Sequence, residues 1–294
     1  MPRTRRTGFT LIELLVIIAI IAALMALTAS AVMKYMVVQQ INNTQTTLNK
    51  VQSVLNRQWS AAKDQAWKEA IPPAVEAYIQ ANLAGTDANV MGRTRVIYVK
   101  LRMRQLFPMN FHEAINPAPL PPIQGYVTYL NQLGITGTTG ANYESAACLL
   151  MALQRAQSGG GVDSADLASG GSSSAFALPP PNNGRSIRAL ADAWQQPLHF
   201  TRVPAGYSVI NPTYPAGTTG INDPGDPQGY LNAGGWPKTA NTQLFTALTL
   251  QPLAAQNSSF KLLPMVASSG PNRKMEVDTI WFSGVPIDDL FSNP

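Results

Sequence analysis

The sequence predicts an α+β chain: one long N-terminal α-helix packed on a small C-terminal antiparallel β-sheet, with long irregular insertions. Three observations carry this. Phe9 to Met33 is an apolar run of 25 residues whose single charged side chain is Glu13. An amphipathic pattern extends that run until Pro72-Pro73, where two consecutive rings force a break or a sharp bend. After it, 22 glycines and 23 prolines in 294 residues mark a loop-rich body, in which Asp278 to Ser283 reads as a last strand.

As a helix the apolar run would extend ~37 Å, against ~30 Å for a hydrocarbon core. It is too long for the apolar part of an ordinary secretory signal. Arg3, Arg5 and Arg6 precede it and Lys34 follows, which predicts a single-pass helix with its N-terminus in the cytoplasm and the body beyond the membrane. Glu13 is the anomaly. A carboxylate at the centre of a membrane helix costs ~2.5–3 kcal/mol on insertion scales, so its presence calls for a partner charge. The remaining charge is sparse, at 13% of residues, and Arg3, Arg5 and Arg6 supply three of the 21 cations that exceed the 16 acids. No basic tract remains to follow a nucleic-acid backbone, so no nucleic-acid partner is expected.

Gly8-Phe9-Thr10-Leu11-Ile12-Glu13-Leu14-Leu15-Val16 resembles the class III signal of type IV pilins and type II secretion pseudopilins. The resemblance implies a pilin-like fold and a leader, residues 1–8, that a prepilin peptidase removes between Gly8 and Phe9. The new Phe9 amine would then be N-methylated, with residues 9–33 retained as a transmembrane and filament-core helix. Glu13 becomes the fifth residue of the mature chain. In a bundle of identical helices it can meet the Phe9 amine of a neighbour, and a buried polar pair of that kind sets axial register. Many family members carry a proline where this chain has Ser30. The implied partners are the peptidase, copies of the chain, other pilin-like subunits and an inner-membrane assembly platform. The implied location is the bacterial inner membrane, with the head periplasmic or extracellular.

Val37, Ile41, Thr44, Leu48, Val51 and Leu55 recur at alternating spacings of four and three, followed by Trp59 and Ala62. This apolar stripe predicts a continuous helix from about Leu11 to about Ala70, with residues 34–71 as its amphipathic half and 72–294 as the head. The stripe suits packing under the head better than a coiled-coil dimer. In the head, Ala74 to Ala84 predicts a short helix ended by Gly85. Arg93 to Phe107 fits a basic amphipathic helix, although Val96-Ile97-Tyr98-Val99 looks strand-like. Tyr143 to Gln157 predicts a helix, and Ser186 to Ala193 one more short helix. Gly/Pro-rich insertions are expected over about 158–185 and 204–258.

Asp192-Ala193-Trp194-Gln195-Gln196-Pro197-Leu198-His199-Phe200 resembles the D-x-W-G-x-P-x-x-Y stretch that opens the C-terminal sheet of major pseudopilins, with Gln195 in the usual glycine place. The resemblance makes Trp194 and Phe200 core and starts an edge strand at Pro197. Phe260 to Arg273 resembles the family's final strand and turn, with Asn272-Arg273 replacing Asp-Gly. These matches favour a pseudopilin acting in protein export. A lone Cys148 cannot form the disulfide common in pilins, which points the same way. A type IV pilin, or a membrane-anchored exported binding protein that never polymerises, stays open. Major pseudopilins often bind calcium, but Glu276, Asp278, Asp288 and Asp289 form no tight Gly-Asp loop, so no metal is expected. The Asp223 to Asp226 turn reads as turn chemistry. His112 and His199 lie in no metal spacing, Cys148 sits on an apolar helix face, and no nucleophile elbow, phosphate loop or dinucleotide fingerprint appears. Neither catalysis nor a cofactor is expected.

Overall fold

The computed structural model describes residues 11–85, 88–155, 173–179, 184–202, 225–231, 264–270 and 281–282. The chain divides into two compact units, Met1–Asn43 and Thr44–Pro294. The fold is α+β, with a long apolar N-terminal helix and small antiparallel sheets.

Helix α1 runs Leu11–Lys68 as one element of 58 residues, within two residues of its expected end. In the first unit its side chains are exposed up to Gln39, with Gln40 and Ile41 half-buried. In the second unit the predicted stripe is covered: Leu48, Val51, Leu55, Trp59, Ala62 and Ala66 are buried, with Thr44, Val54 and Gln58 beside them. The stripe packs on its own head, as expected, although helices supply much of the partner surface. The Trp59 ring lies 5.1 Å from that of Phe107, and Gln58 Nε2 donates to Leu153 O at 3.2 Å. Val37, at the start of the predicted stripe, is 47% exposed.

Among the described residues five helices follow: α2 Pro73–Asn82, α3 Val90–Leu106, α4 Phe111–Ile115, α5 Gln124–Gln132 and α6 Glu144–Arg155. Pro73 occupies the first turn of α2, where its missing N–H costs nothing, and Gly85 takes φ 76° beyond the helix end. The strand-like Val96-Ile97-Tyr98-Val99 is fully helical inside α3. All four residues are buried, so packing on Val75, Ile79, Leu83 and Leu120 outweighs the modest helix penalty of β-branched residues. Helices α4 and α5 had no counterpart in the pattern reading. α4 is one short turn, with Asn110 Oδ1 accepting the Glu113 N–H at 2.9 Å as its N-cap.

Two expectations are corrected. Ser186 to Ala193 is no helix: Ser186–Leu190 forms strand β2, paired antiparallel with β1, Ser173–Ala177. The reason is period two: Ser186 and Arg188 face out while Ile187 and Ala189 are buried. Strand β1 also lies inside the stretch read as an irregular insertion, 158–185. The second sheet orders β3 (His199–Thr201), β4 (Met265–Ser268) and β5 (Trp281–Phe282), all antiparallel. It corresponds to the expected C-terminal sheet. The expected 204–258 insertion, the Asn272-Arg273 turn and the four acids weighed for calcium lie outside the described residues, apart from Gly225–Leu231.

The seam between α1 and β4 is a side-chain amide. Gln52 Nε2 donates to Pro264 O at 2.8 Å while its Oε1 accepts the Val266 N–H at 3.1 Å. One glutamine thus supplies the donor and acceptor that a neighbouring strand would offer.

Candidate functional site

The candidate site is the exposed N-terminal part of α1. Leu11 to Val38 presents large apolar side chains on every side of the helix, with Leu11 at 84% and Met33 at 68% exposure. Such a helix is stable in hydrocarbon or in a bundle of similar helices, because its backbone bonds are internal and its surface is apolar. It is long and apolar enough to cross a membrane, and the apolar window that qualifies it is wholly unburied. The hydroxyls within it are satisfied locally. Thr28 Oγ1 donates to Leu24 O or Met25 O at 3.0 Å, and Ser30 Oγ donates to Leu27 O at 2.9 Å. The helix passes unbroken through Ser30, the place where proline is common in the resembling family.

Glu13 is exposed in the first turn of α1, where a carboxylate interacts favourably with the positive end of the helix dipole. Gly8 and Phe9, the expected cleavage and methylation positions, lie outside the described residues.

The head that follows is held by buried charge. Arg202 Nη2 reaches Glu113 Oε1 at 2.7 Å, and Arg104 Nε approaches the same oxygen at 3.4 Å. Arg202 also donates to Arg104 O and Phe107 O, and Glu113 Oε2 accepts the Met109 N–H. Burial lowers the Arg104 pKa against the raising effect of Glu113. This triad joins α3, α4 and the residue after β3, all through groups that water does not reach. A second carboxylate, Glu69, accepts from Tyr98 Oη and from Arg102, and Arg95 donates to its carbonyl.

Asp192 secures the start of the C-terminal sheet. Its Oδ1 accepts the N–H groups of Trp194 and Gln196 at 2.9 and 2.8 Å, and its Oδ2 accepts the Ser268 hydroxyl at 2.7 Å. Thr44 Oγ1 of α1 accepts the next N–H, of Ala193, at 3.2 Å. The turn puts Gln195 at φ 60°, the left-handed region, which explains why glycine is usual there in the resembling family. Phe200 is core as expected, and Pro197 forms an isolated bridge with Ala191 just before β3. Trp194 is half-buried rather than core, because it sits on the turn itself.

His112 is exposed on α4, and His199 is half-buried at the start of β3 with its pKa lowered by burial. Cys148 is fully buried, and burial pushes its thiol pKa well up, so it acts as apolar filler. Among the described residues no group of three or more His, Cys, Asp or Glu is placed to hold a metal. Pattern reading missed Arg104, Glu113 and Arg202, since nothing in their spacing announces that a charge is buried.

A family model described as the prokaryotic N-terminal methylation motif matches residues 3–29. No curated protein and no solved structure matches the chain at a significant level. The match ends within the apolar part of α1, so the head contributes nothing to it. The chain thus carries a prepilin-type N-terminal methylation motif at the head of an exposed, unbroken apolar helix, which supports a place in the type IV pilin-like family.

Proposed function

We propose that the chain is a structural subunit of a pilus-like filament, made as a precursor and assembled through its N-terminal helix. The observation that carries this reading is the methylation motif over residues 3–29, continuous with a helix whose apolar surface is exposed. Prepilin peptidase removes residues 1–8 by cutting between Gly8 and Phe9, and the Phe9 amine is methylated. Residues 9–33 span the inner membrane as a single pass, with the N-terminus cytoplasmic and the head periplasmic or extracellular. In the filament they pack with copies of the chain and with other pilin-like subunits. Glu13 pairs with the Phe9 amine of a neighbour, in a low-dielectric bundle where such a pair fixes axial register. The work is mechanical, driven by an assembly platform, and the chain is not an enzyme.

Within the family the reading is a type II secretion pseudopilin acting in protein export. It rests on the Asp192 to Phe200 stretch, whose Asp192-centred turn opens the C-terminal sheet. The type IV pilin reading is disfavoured by the lone, buried Cys148, which cannot form a C-terminal disulfide.

Two measurements test the proposal. The mass of the mature protein from a host with the peptidase should lack residues 1–8 and carry one added methyl group; an intact leader overturns the reading. Glu13→Val should be cleaved normally and fail to enter filaments, and normal incorporation would sink the register role.

A further inference from the structure

A cleft of about 450 Å³ opens on the head between the first turn of α6, residues 138–142, the α4 cap and the start of β3. That volume falls in the range of small-ligand sites. Among the described residues its chemistry is one-sided, since no lysine or arginine lines it. The one acid among those residues, Glu144, already accepts from the Phe111 N–H, the Thr138 hydroxyl, and the N–H and hydroxyl of Thr139. An anion finds no counter-charge among these residues, and a cation finds a carboxylate whose lone pairs are taken.

The groups left over are neutral. Among the described residues the Asn142 amide and the His199 ring make no side-chain hydrogen bond, and Asn110 commits only its Oδ1, to the Glu113 N–H. Gln196 commits only its Nε2, to Trp194 O at 3.3 Å. Burial holds the imidazole pKa below its ordinary value, so the ring is neutral at pH 7, with one donor and one acceptor. Met109 and Pro197 add apolar surface among these polar groups. The cleft gives no access for an added strand along β3, because Ser145 Oγ accepts the Phe200 N–H there at 3.2 Å.

We propose that this cleft binds an uncharged saccharide of one or two rings. A sugar hydroxyl both donates and accepts, which matches the amides of Asn142, Asn110 and Gln196 and the imidazole of His199. The C–H face of the ring would lie on Met109 and Pro197. Nothing in this depends on polymerisation, so it stands or falls separately from the filament reading.

The test is saturation-transfer NMR on the full chain in a detergent without a sugar headgroup. The probes are glucose, N-acetylglucosamine, maltose and, as the competing class, a capped neutral tripeptide. At least one sugar should bind with Kd on the order of 1 mM. Asn142 is exposed and makes no internal side-chain bond, so Asn142→Ala should keep the fold and weaken sugar binding about tenfold, worth roughly 1.4 kcal/mol. His199→Phe, which keeps the ring's bulk, should weaken it similarly. Absence of transfer from every sugar at ~20 mM overturns the proposal. So does binding that both variants leave unchanged, or binding of the tripeptide alone.

Discussion

Asp192 is a buried carboxylate that holds three donors, and its energetics follow from the balance between them and burial. Desolvation raises its pKa above the ordinary value, against the lowering effects of Ser268, Gln196 and Trp194. A raised folded pKa means that the native state binds the proton more tightly than the unfolded chain does. Stability contributed by this group therefore increases as pH falls through the folded pKa towards the ordinary Asp value, and is smallest above it. Asp192→Ala strands two N–H groups and a hydroxyl, and should cost ~2–4 kcal/mol in urea unfolding. Asp192→Asn should cost less, because an amide oxygen still accepts both N–H groups, and it should flatten that part of the pH profile. Gln195 is the neighbouring liability. A non-glycine residue in the left-handed region costs ~1–2 kcal/mol, part of which glycine's extra unfolded freedom offsets, so Gln195→Gly should stabilise by ~0.5–1 kcal/mol. Much of this was legible in the sequence. The Asp-x-Trp-x-x-Pro spacing located the turn and the buried Phe200, and Gln195 stood out as the departure. The half-burial of Trp194 was not legible, since it depends on how tightly the chain reverses at φ 60°.

At the scale of elements, α3 shows how a helix with five cations can be a core helix. Arg93 is fully buried, with Nη1 donating to Ala84 O at 2.7 Å and Nε donating to Tyr230 O at 3.0 Å. Asp226 holds the segment in place by accepting the N–H groups of Tyr230 and Leu231. The Tyr230 ring then covers Gly92, where an added Cβ would lie 2.6 Å from ring atoms. Gly92→Ala should therefore displace the half-buried ring, and because the ring can swing aside and alanine favours the helix, the net cost by thermal unfolding should be ~1 kcal/mol or less. Adding Tyr230→Ala should make the pair cost less than the sum, because the clash is gone. Replacing Arg202 by Met leaves Glu113 with the longer Arg104 contact as its counter-charge and should cost ~3–5 kcal/mol. Pattern reading took α3 as basic and amphipathic, and β2 as helix, for the same reason. Periodicity reports which residues could share a face, while long-range partners decide what covers them. Ala and Arg in Ser186–Leu190 suit a helix locally, yet pairing with β1 imposes the period of two.

At the scale of the molecule, the helix α1 was the most legible feature, because hydropathy, proline placement and stripe spacing agree over 58 residues. The boundary at Asn43 and Thr44 is where its environment changes from exposed apolar side chains to a stripe covered by the head. A chain starting at about residue 40 should fold in water without detergent and stay monomeric, whereas the full chain should need detergent or lipid; light scattering of the two distinguishes them. The buried Arg104–Glu113–Arg202 cluster carries a kinetic consequence. Its closing member lies 89 positions from Glu113 along the chain, so the shortest ion pair of the cluster cannot form until the polypeptide through residue 202 is available. A nascent head lacking that arginine holds Glu113 by the longer Arg104 contact and the Met109 N–H and stays loose, which delays consolidation. On the proposed route of the head across a membrane, that delay keeps the chain pliable until most of its length has emerged.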